Sequence, residues 1–296
     1  MTFSFSSYPC PVCAASSIKT RYTINDFNIV ECISCGMVYV DPRICNEDLF
    51  SIYRNGYFDR GSEESGYQDY ELVAPLRIKT FKKWYNAFKR YLPSGYSAAL
   101  DVGCAAGYFM DLLKEEGWRV VEGVELETHM IAELRERKYS ITGQPLEHIT
   151  APPLKRYQLI TLFDVLEHLP DINNDLEKCA SMLDDNGILV LVTPNVDSFQ
   201  RKLFGPRWFQ FKPQEHIYYF SPATLSRLAG KHGFAPVHLS GSGQFADLEF
   251  LHNRLAKYRF PMFDILLRWT AAALGHEKKS WYMDTGSMLA VFRKKR

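Results

Sequence analysis

The chain has 296 residues, 46% apolar and 14% aromatic, enough for one large core and a small satellite. Lys and Arg total 35 against 34 acidic residues, so no global basic field marks the chain for nucleic acid, and nothing implies an acidic substrate or a membrane surface. The first residues, Met-Thr-Phe-Ser, lack the charged and apolar regions of a signal peptide, and seven cysteines, four in metal-type pairs, suit a reducing compartment, so a cytoplasmic location is expected.

The first element is a pair of Cys-x-x-Cys knuckles, Cys10 with Cys13 and Cys32 with Cys35, eighteen residues apart. That is the spacing of a four-thiolate zinc ribbon. Residues 23–30 read as extended and 36–40 as a further strand, with Zn2+ supplying much of the stability of so small a core. Such a ribbon either grips nucleic acid or substrate, or serves as a structural clip. Its positive charge is limited to Lys19, Arg21 and Arg43, which favours the clip. Residues 1–45 are therefore expected as the ribbon, 46–95 as a connector and helix, and 96–296 as the main domain.

The connector, 47–69, is rich in Tyr, Gly and acids; its aromatics either pack onto the main domain or line a pocket. Apolar residues at helical spacing over 70–92 predict a helix that ends at Pro93-Ser94-Gly95. Strands over 97–102, 119–125, 157–163 and 187–193 then alternate with helices over 107–117, 128–138 and 173–183. This order predicts an α/β fold with a doubly wound parallel sheet and a ligand at the carboxyl ends of its strands.

Gly103 and Gly107 flank the first strand-to-helix turn, where missing side chains let backbone approach a ligand. The dinucleotide pattern fails there, because Ala105 and Tyr108 stand where its second and third glycines belong. Asp101 puts a carboxylate at the strand end, which welcomes an amino group and repels a pyrophosphate. Glu125, closing the next strand, is placed to accept hydrogen bonds from both ribose hydroxyls. An aminoacyl nucleoside fits this set.

Four segments, Leu100-Asp-Val-Gly-Cys-Ala-Ala-Gly-Tyr-Phe, Gly123-Val-Glu, Phe163-Asp-Val-Leu-Glu-His-Leu-Pro-Asp and Gly187-Ile-Leu-Val-Leu-Val-Thr-Pro-Asn, resemble the class I S-adenosylmethionine-dependent methyltransferases. The likeness spans 96–237, and the chain resembles the bacterial branch in which a zinc ribbon precedes a Rossmann-like methyltransferase sheet. The resemblance implies that Asp101, Gly103 and Gly107 cradle the methionine portion of S-adenosylmethionine, with Cys104, Phe163 and Asp164 also at the cofactor. It implies that Glu125 binds ribose and that Gln144, where many relatives have Asp, lies beside the adenine. Ala105 replaces the family's usual middle glycine. An antiparallel final strand is implied over 287–295.

His168 is the candidate base for a hydroxyl acceptor, the alternative being a helix-start residue of structural value only. If a helix begins at Asp164, then Asp164, Glu167 and His168 share a face, and His216 arrives from a later loop. This set resembles the Glu-x-x-Glu-His metal set of certain O-methyltransferases, with Asp164 in place of the first Glu, and implies a second divalent cation. Residues 194–214 are expected either to lid the acceptor pocket or simply to pack their aromatics, and 221–233 to form a helix capped by Ser221 with Pro222 in its first turn. Residues 248–274, within a helical insert at about 245–280, read as two amphipathic pieces broken at Pro261. They would serve as a pocket cover, a homodimer surface or a peripheral membrane contact, with no transmembrane span.

The expected function is methyl transfer from S-adenosylmethionine to a small-molecule, glycan or secondary-metabolite acceptor, at oxygen, with catalytic roles for His168 and His216. The rivals are an RNA methyltransferase that uses the ribbon to hold nucleic acid, and a non-enzymatic binding module.

Overall fold

The computed structural model describes residues 3–54, 73–95, 97–149, 157–248 and 279–295. In the ribbon, β1 (Phe5–Ser6) and β5 (Arg43–Ile44) pair with each other, and β2 (Ile18–Ile24), β3 (Phe27–Cys32) and β4 (Val38–Val40) form a second antiparallel sheet. The two knuckles repeat one turn. The Ala14 amide donates to the Cys10 carbonyl at 2.8 Å and the Gly36 amide to that of Cys32 at 2.9 Å. Ala14 and Gly36 both have positive φ, 59° and 76°, a conformation that costs the alanine about 1 kcal/mol and the glycine almost nothing.

The single extended run expected over 23–30 is instead a hairpin. Asn25 and Asp26, at φ 49° and 65°, form a two-residue turn that short polar side chains tolerate, and it folds β3 back on β2.

After α1 (Asn46–Arg54), the helix expected over 70–92 appears as α2 (Ala74–Phe88), which buries Phe81, Trp84, Tyr85 and Phe88. Strands and helices then alternate through β6 (Ala98–Val102), α3 (Tyr108–Glu115), β7 (Val120–Val124), α4 (Thr128–Glu136), β8 (Ser140–Thr142), β9 (Tyr157–Phe163), α5 (Ile172–Met182) and β10 (Leu183–Pro194). Next come α6 (Phe199–Phe204), β11 (Tyr218–Tyr219), α7 (Pro222–Lys231), β12 (Phe234–Ala246) and β13 (Trp281–Lys294). The seven-stranded sheet has the order β12-β13-β10-β9-β6-β7-β8, with β13 antiparallel to both neighbours. The reversed final strand is therefore present. All five residues of β6 are buried, as a central parallel strand covered on both faces requires.

The start of the expected insert, 245–246, belongs to the end of β12, and most of its remainder, like residues 55–72 of the connector, lies outside the described residues. Among the described residues no helix is long and apolar enough to cross a membrane.

The ribbon is sewn into the large domain. β11 pairs antiparallel with β4, so that Tyr218 faces Tyr39 and Tyr219 faces Val38. Ile29, Val38 and Val40 of the ribbon share a buried cluster with Val196, Trp208, Phe211 and Tyr219. Its other side, Cys10, Val12, Cys32 and Met37, joins the core that contains Leu162, Leu176 and Leu191.

Candidate active site

The turn after β6 is shaped by two glycines. Gly103 has φ 71° and any Cβ there would overlap the Val165 side chain; Gly107 has φ 77° and its Cβ would lie 2.5 Å from Leu134. Ala105, where the family has glycine, is held at φ 45°. The alanine takes the left-handed conformation. Its amide donates to Glu125 Oε2 at 2.8 Å, while the amides of Leu126 and Glu127 donate to Oε1 at 2.7 and 3.0 Å. Arg137 pins the loop from α4 through the Ala106 carbonyl at 2.7 Å.

Asp101 is buried at the end of β6 and accepts a 2.6 Å hydrogen bond from the Thr161 hydroxyl on β9. Burial pushes its carboxyl up to about 7, opposed by Thr161 and assisted by the charge of Glu125. Burial likewise raises Glu125, against the three amides that bond it. Among the described residues no Lys, Arg or His bonds either carboxylate. Two adjacent buried acids without a cation suit a ligand that brings a positive charge and hydroxyl groups. Thr161, which orients Asp101, was not singled out in the sequence; its signal is a polar residue between the apolar pairs Leu159-Ile160 and Leu162-Phe163.

The other residues expected at the cofactor fall in different places. Cys104 Sγ packs against Gly123 inside the core, so its side chain supports the turn from beneath. The Phe163 ring lies 4.8 Å from Phe109 and 5.1 Å from Trp84, inside an aromatic cluster under α2 and α3. Gln144 is exposed just beyond β8.

On the neighbouring side the chain departs from the expected helix. Asp164 sits at φ 56°, and only a single 3-10 turn follows, Leu166–His168. Asp164 is consequently outside the ligand group it was expected to join. Glu167, His168 and His216 do converge, each offering an atom within 4.8 Å of the others. His168 Nδ1 lies 3.0 Å from the Glu215 carbonyl and His216 Nδ1 2.9 Å from that of Gln210. A carbonyl only accepts, so each Nδ1 carries the proton and each Nε2 the lone pair.

Burial drives His168 down to about 3 and His216 well below its ordinary range, with Lys212 adding to both. Burial, then Asp164, pushes Glu167 up to about 8, and the Thr193 hydroxyl donates to it at 2.9 Å. The Glu167 carbonyl accepts from the Ile217 amide at 2.9 Å, whose own carbonyl accepts from Val40 of the ribbon at 3.0 Å. A pocket opens over this cluster, walled by Arg77 and Trp84 of α2, by Phe209 and Lys212 of the expected lid, and by Gln244 and Ser287 of β12 and β13.

The four ribbon thiols also converge, with Sγ atoms 3.4 Å apart for Cys10 and Cys35 and 3.5 Å for Cys13 and Cys32. A disulfide needs about 2 Å, whereas thiolates tetrahedral about Zn2+ stand roughly 3.8 Å apart. The donor set fits that ion. The ribbon's cations are already engaged: Lys19 and Arg21 both pair with Glu31, at 2.9 and 2.8 Å, and Arg43 is buried against the Pro170 carbonyl.

A parallel sheet with one reversed strand, a glycine turn after its first strand and an acid ending the second defines the class I S-adenosylmethionine-dependent methyltransferases. The family model described as a methyltransferase domain matches residues 77–239, over half of the chain, and the chain belongs to that family. A ubiquinone biosynthesis O-methyltransferase from Coxiella burnetii is 24% identical over 182 residues, covering 57% of this chain and 74% of that protein. A protein of the same name from Bordetella avium is 25% identical over 206 residues, covering 66% and 81%. The crystal structure of an S-adenosylmethionine-dependent methyltransferase from Archaeoglobus fulgidus shares the fold, with a TM-score of 0.50 and 20% identity over 75% of this chain and 98% of that one.

Proposed function

We propose that this enzyme methylates a hydroxyl oxygen of a small molecule or glycan, and that Glu167, His168 and His216 hold a divalent cation beside the acceptor. The observation that carries the reading is the convergence of those three side chains under the pocket. Relatives named as O-methyltransferases support oxygen as the acceptor atom. A histidine driven to about 3 is a poor proton acceptor near neutrality, yet its lone pair stays available, which favours a ligand over a general base. A bound divalent cation supplies Lewis acidity, lowering the pKa of an acceptor hydroxyl.

The remaining roles belong to side chains. Asp101 receives the amino group of S-adenosylmethionine, Glu125 its ribose hydroxyls, and Gln144 the adenine edge, while the turn through Gly103 and Gly107 lets backbone close on the methionine portion. Methyl transfer is an in-line displacement from an activated sulfonium, so orientation and exclusion of water contribute most of the rate. Phe209 and Lys212 close the pocket from the lid. Cys10, Cys13, Cys32 and Cys35 hold a structural Zn2+, and the ribbon acts as a brace on the acceptor side, in a chain that works in the cytoplasm.

The test is turnover with and without a chelator too weak to strip the ribbon, alongside Glu167→Gln and His216→Ala. Lost turnover, restored by added Mg2+ or Mn2+ in the wild type alone, supports the cation. Undiminished turnover after chelation removes it and leaves the methyltransferase assignment intact.

A further inference from the structure

The pocket over Glu167 and His216 has a wall of uncommon composition. Among the described residues that line it, all but Trp84, Phe209 and Gly243 carry polar side chains, whereas small-molecule sites are mostly apolar. Part of that wall comes from a step in the sheet. Ser242 of β12 faces Ser287 of β13, but the next residue, Gly243, faces Asp284, so Thr285 and Gly286 stand out of the ladder. A bulge of this kind re-aims side chains, and here Gln244, Thr285 and Ser287 reach the pocket. The bulge is fixed: the Gly286 amide donates to Asp284 Oδ1 at 2.8 Å, and the Gly286 carbonyl accepts from the Asn195 amide at 2.9 Å. Gln210 lines the same space from the segment after α6. Among the described residues, neither the Gln210 nor the Gln244 side chain makes a hydrogen bond.

We propose that the acceptor is a polyhydroxylated ring of the sugar type, whose hydroxyls pair with Gln210, Gln244, Thr285 and Ser287 while its C–H surface packs on Trp84 and Phe209. The inference rests on the hydroxyl methylation proposed above and narrows its acceptor. A carboxamide both donates and accepts, as a sugar hydroxyl does, so each such pair satisfies both partners. A flat apolar phenol in the same place would displace water from these side chains and return no partner, which is the costly case. The Trp84 ring is held by its indole N–H, which donates to the Gly243 carbonyl at 3.0 Å beside the bulge. Such an aromatic surface suits the C–H groups of a pyranose. In the transfer, a lone pair of the alcohol oxygen forms the new C–O bond as the sulfonium C–S bond breaks. The sulfur keeps the electrons of that bond in S-adenosylhomocysteine, and the hydroxyl proton passes to water.

The test is formation of S-adenosylhomocysteine by the full chain with a panel of methyl pyranosides and, in parallel, with catechol and 4-hydroxybenzoate. At least one pyranoside is expected to be methylated on oxygen, with kcat/KM at least about tenfold above either phenol. Gln244→Leu and Thr285→Val should each raise the KM for that pyranoside by about tenfold and change kcat little, leaving the phenols unaffected. Both side chains belong to partly exposed residues, and unchanged binding of S-adenosylhomocysteine by each variant verifies the fold. A panel in which no pyranoside is methylated overturns the proposal, as do variants whose KM for the pyranoside stays at the wild-type value. Turnover of catechol alone removes the sugar and keeps methylation at oxygen. Pyranoside turnover that survives mild chelation supports the sugar and removes the cation at Glu167.

Discussion

On the side proposed for the cofactor, Asp101, Gly103, Ala105, Gly107 and Glu125 come from one short stretch of chain, and its own amides bond Glu125. On the side proposed for the acceptor, Glu167 and His168 follow β9, His216 comes from a later loop, and the Ile217 carbonyl beside it accepts from the Val40 amide of the ribbon. A site made within one β-turn-α unit depends mainly on that unit. A site assembled from distant segments inherits the stability of the weakest, here a ribbon with little core of its own.

The largest effect should come from breaking the ribbon. Cys32→Ser, or stripping Zn2+ with a strong chelator, is expected to cut turnover more than about a hundredfold, because reacting groups displaced by an ångström lose much of their rate. Calorimetry should meanwhile find S-adenosylhomocysteine affinity within roughly threefold of the wild type. Equal losses of both would erase the contrast between the two sides. The converse perturbation is Glu125→Ala, which leaves three amides without their acceptor and should weaken S-adenosylmethionine binding by about 2–3 kcal/mol. Thermal unfolding of the ribbon should hardly change.

Asp175 sharpens the comparison through stability. It is buried in α5, neither carboxylate oxygen has a hydrogen bond, and burial, then the charges of Glu147 and Asp171, push it up to about 8 against slight relief from the Glu147 backbone. A folded-state pKa above the unfolded value means that stability is fully present below about pH 4 and is lost as pH rises through 8. Asp175→Asn should therefore stabilise the fold by on the order of 1–3 kcal/mol at pH 8 and by almost nothing at pH 4. Urea unfolding at the two pH values measures it.

In the proposed cofactor site, Asp101 has to ionise to receive the amino group. With its carboxyl at about 7, S-adenosylmethionine affinity should fall about tenfold between pH 7.5 and pH 6, and Asp101→Asn should bind weakly with a flat profile. The smallest effect is Ala14→Gly, which relieves the left-handed alanine of the first knuckle and should add up to about 1 kcal/mol to ribbon stability.

Legibility in the sequence follows the same division. Asp101, the glycine turn and Glu125 could be read because strand, turn and acid succeed one another at short range, and the Cys-x-x-Cys pairs because each is one turn. Ser221 and Pro222 announced α7 for the same reason, and the structure adds a capping box with Thr224. Glu167, His168 and His216 were legible as residues, but their grouping depends on a backbone reversal at Asp164 that helical spacing cannot foresee. β12 was missed because its glycines, serines and lone proline blur the alternation that marks a strand. The fate of Phe163 was hidden too, since the aromatic cluster that takes its ring is contributed by α2 and α3.

The pairing of β4 with β11 has one more consequence. The N-terminal fifty residues are knitted to the remainder by main-chain hydrogen bonds and by two shared apolar cores. A polypeptide cleaved once between positions 54 and 73 should therefore elute as a single species. Its two fragments, expressed separately, should recover one another by complementation, and neither alone should do the work of the pair.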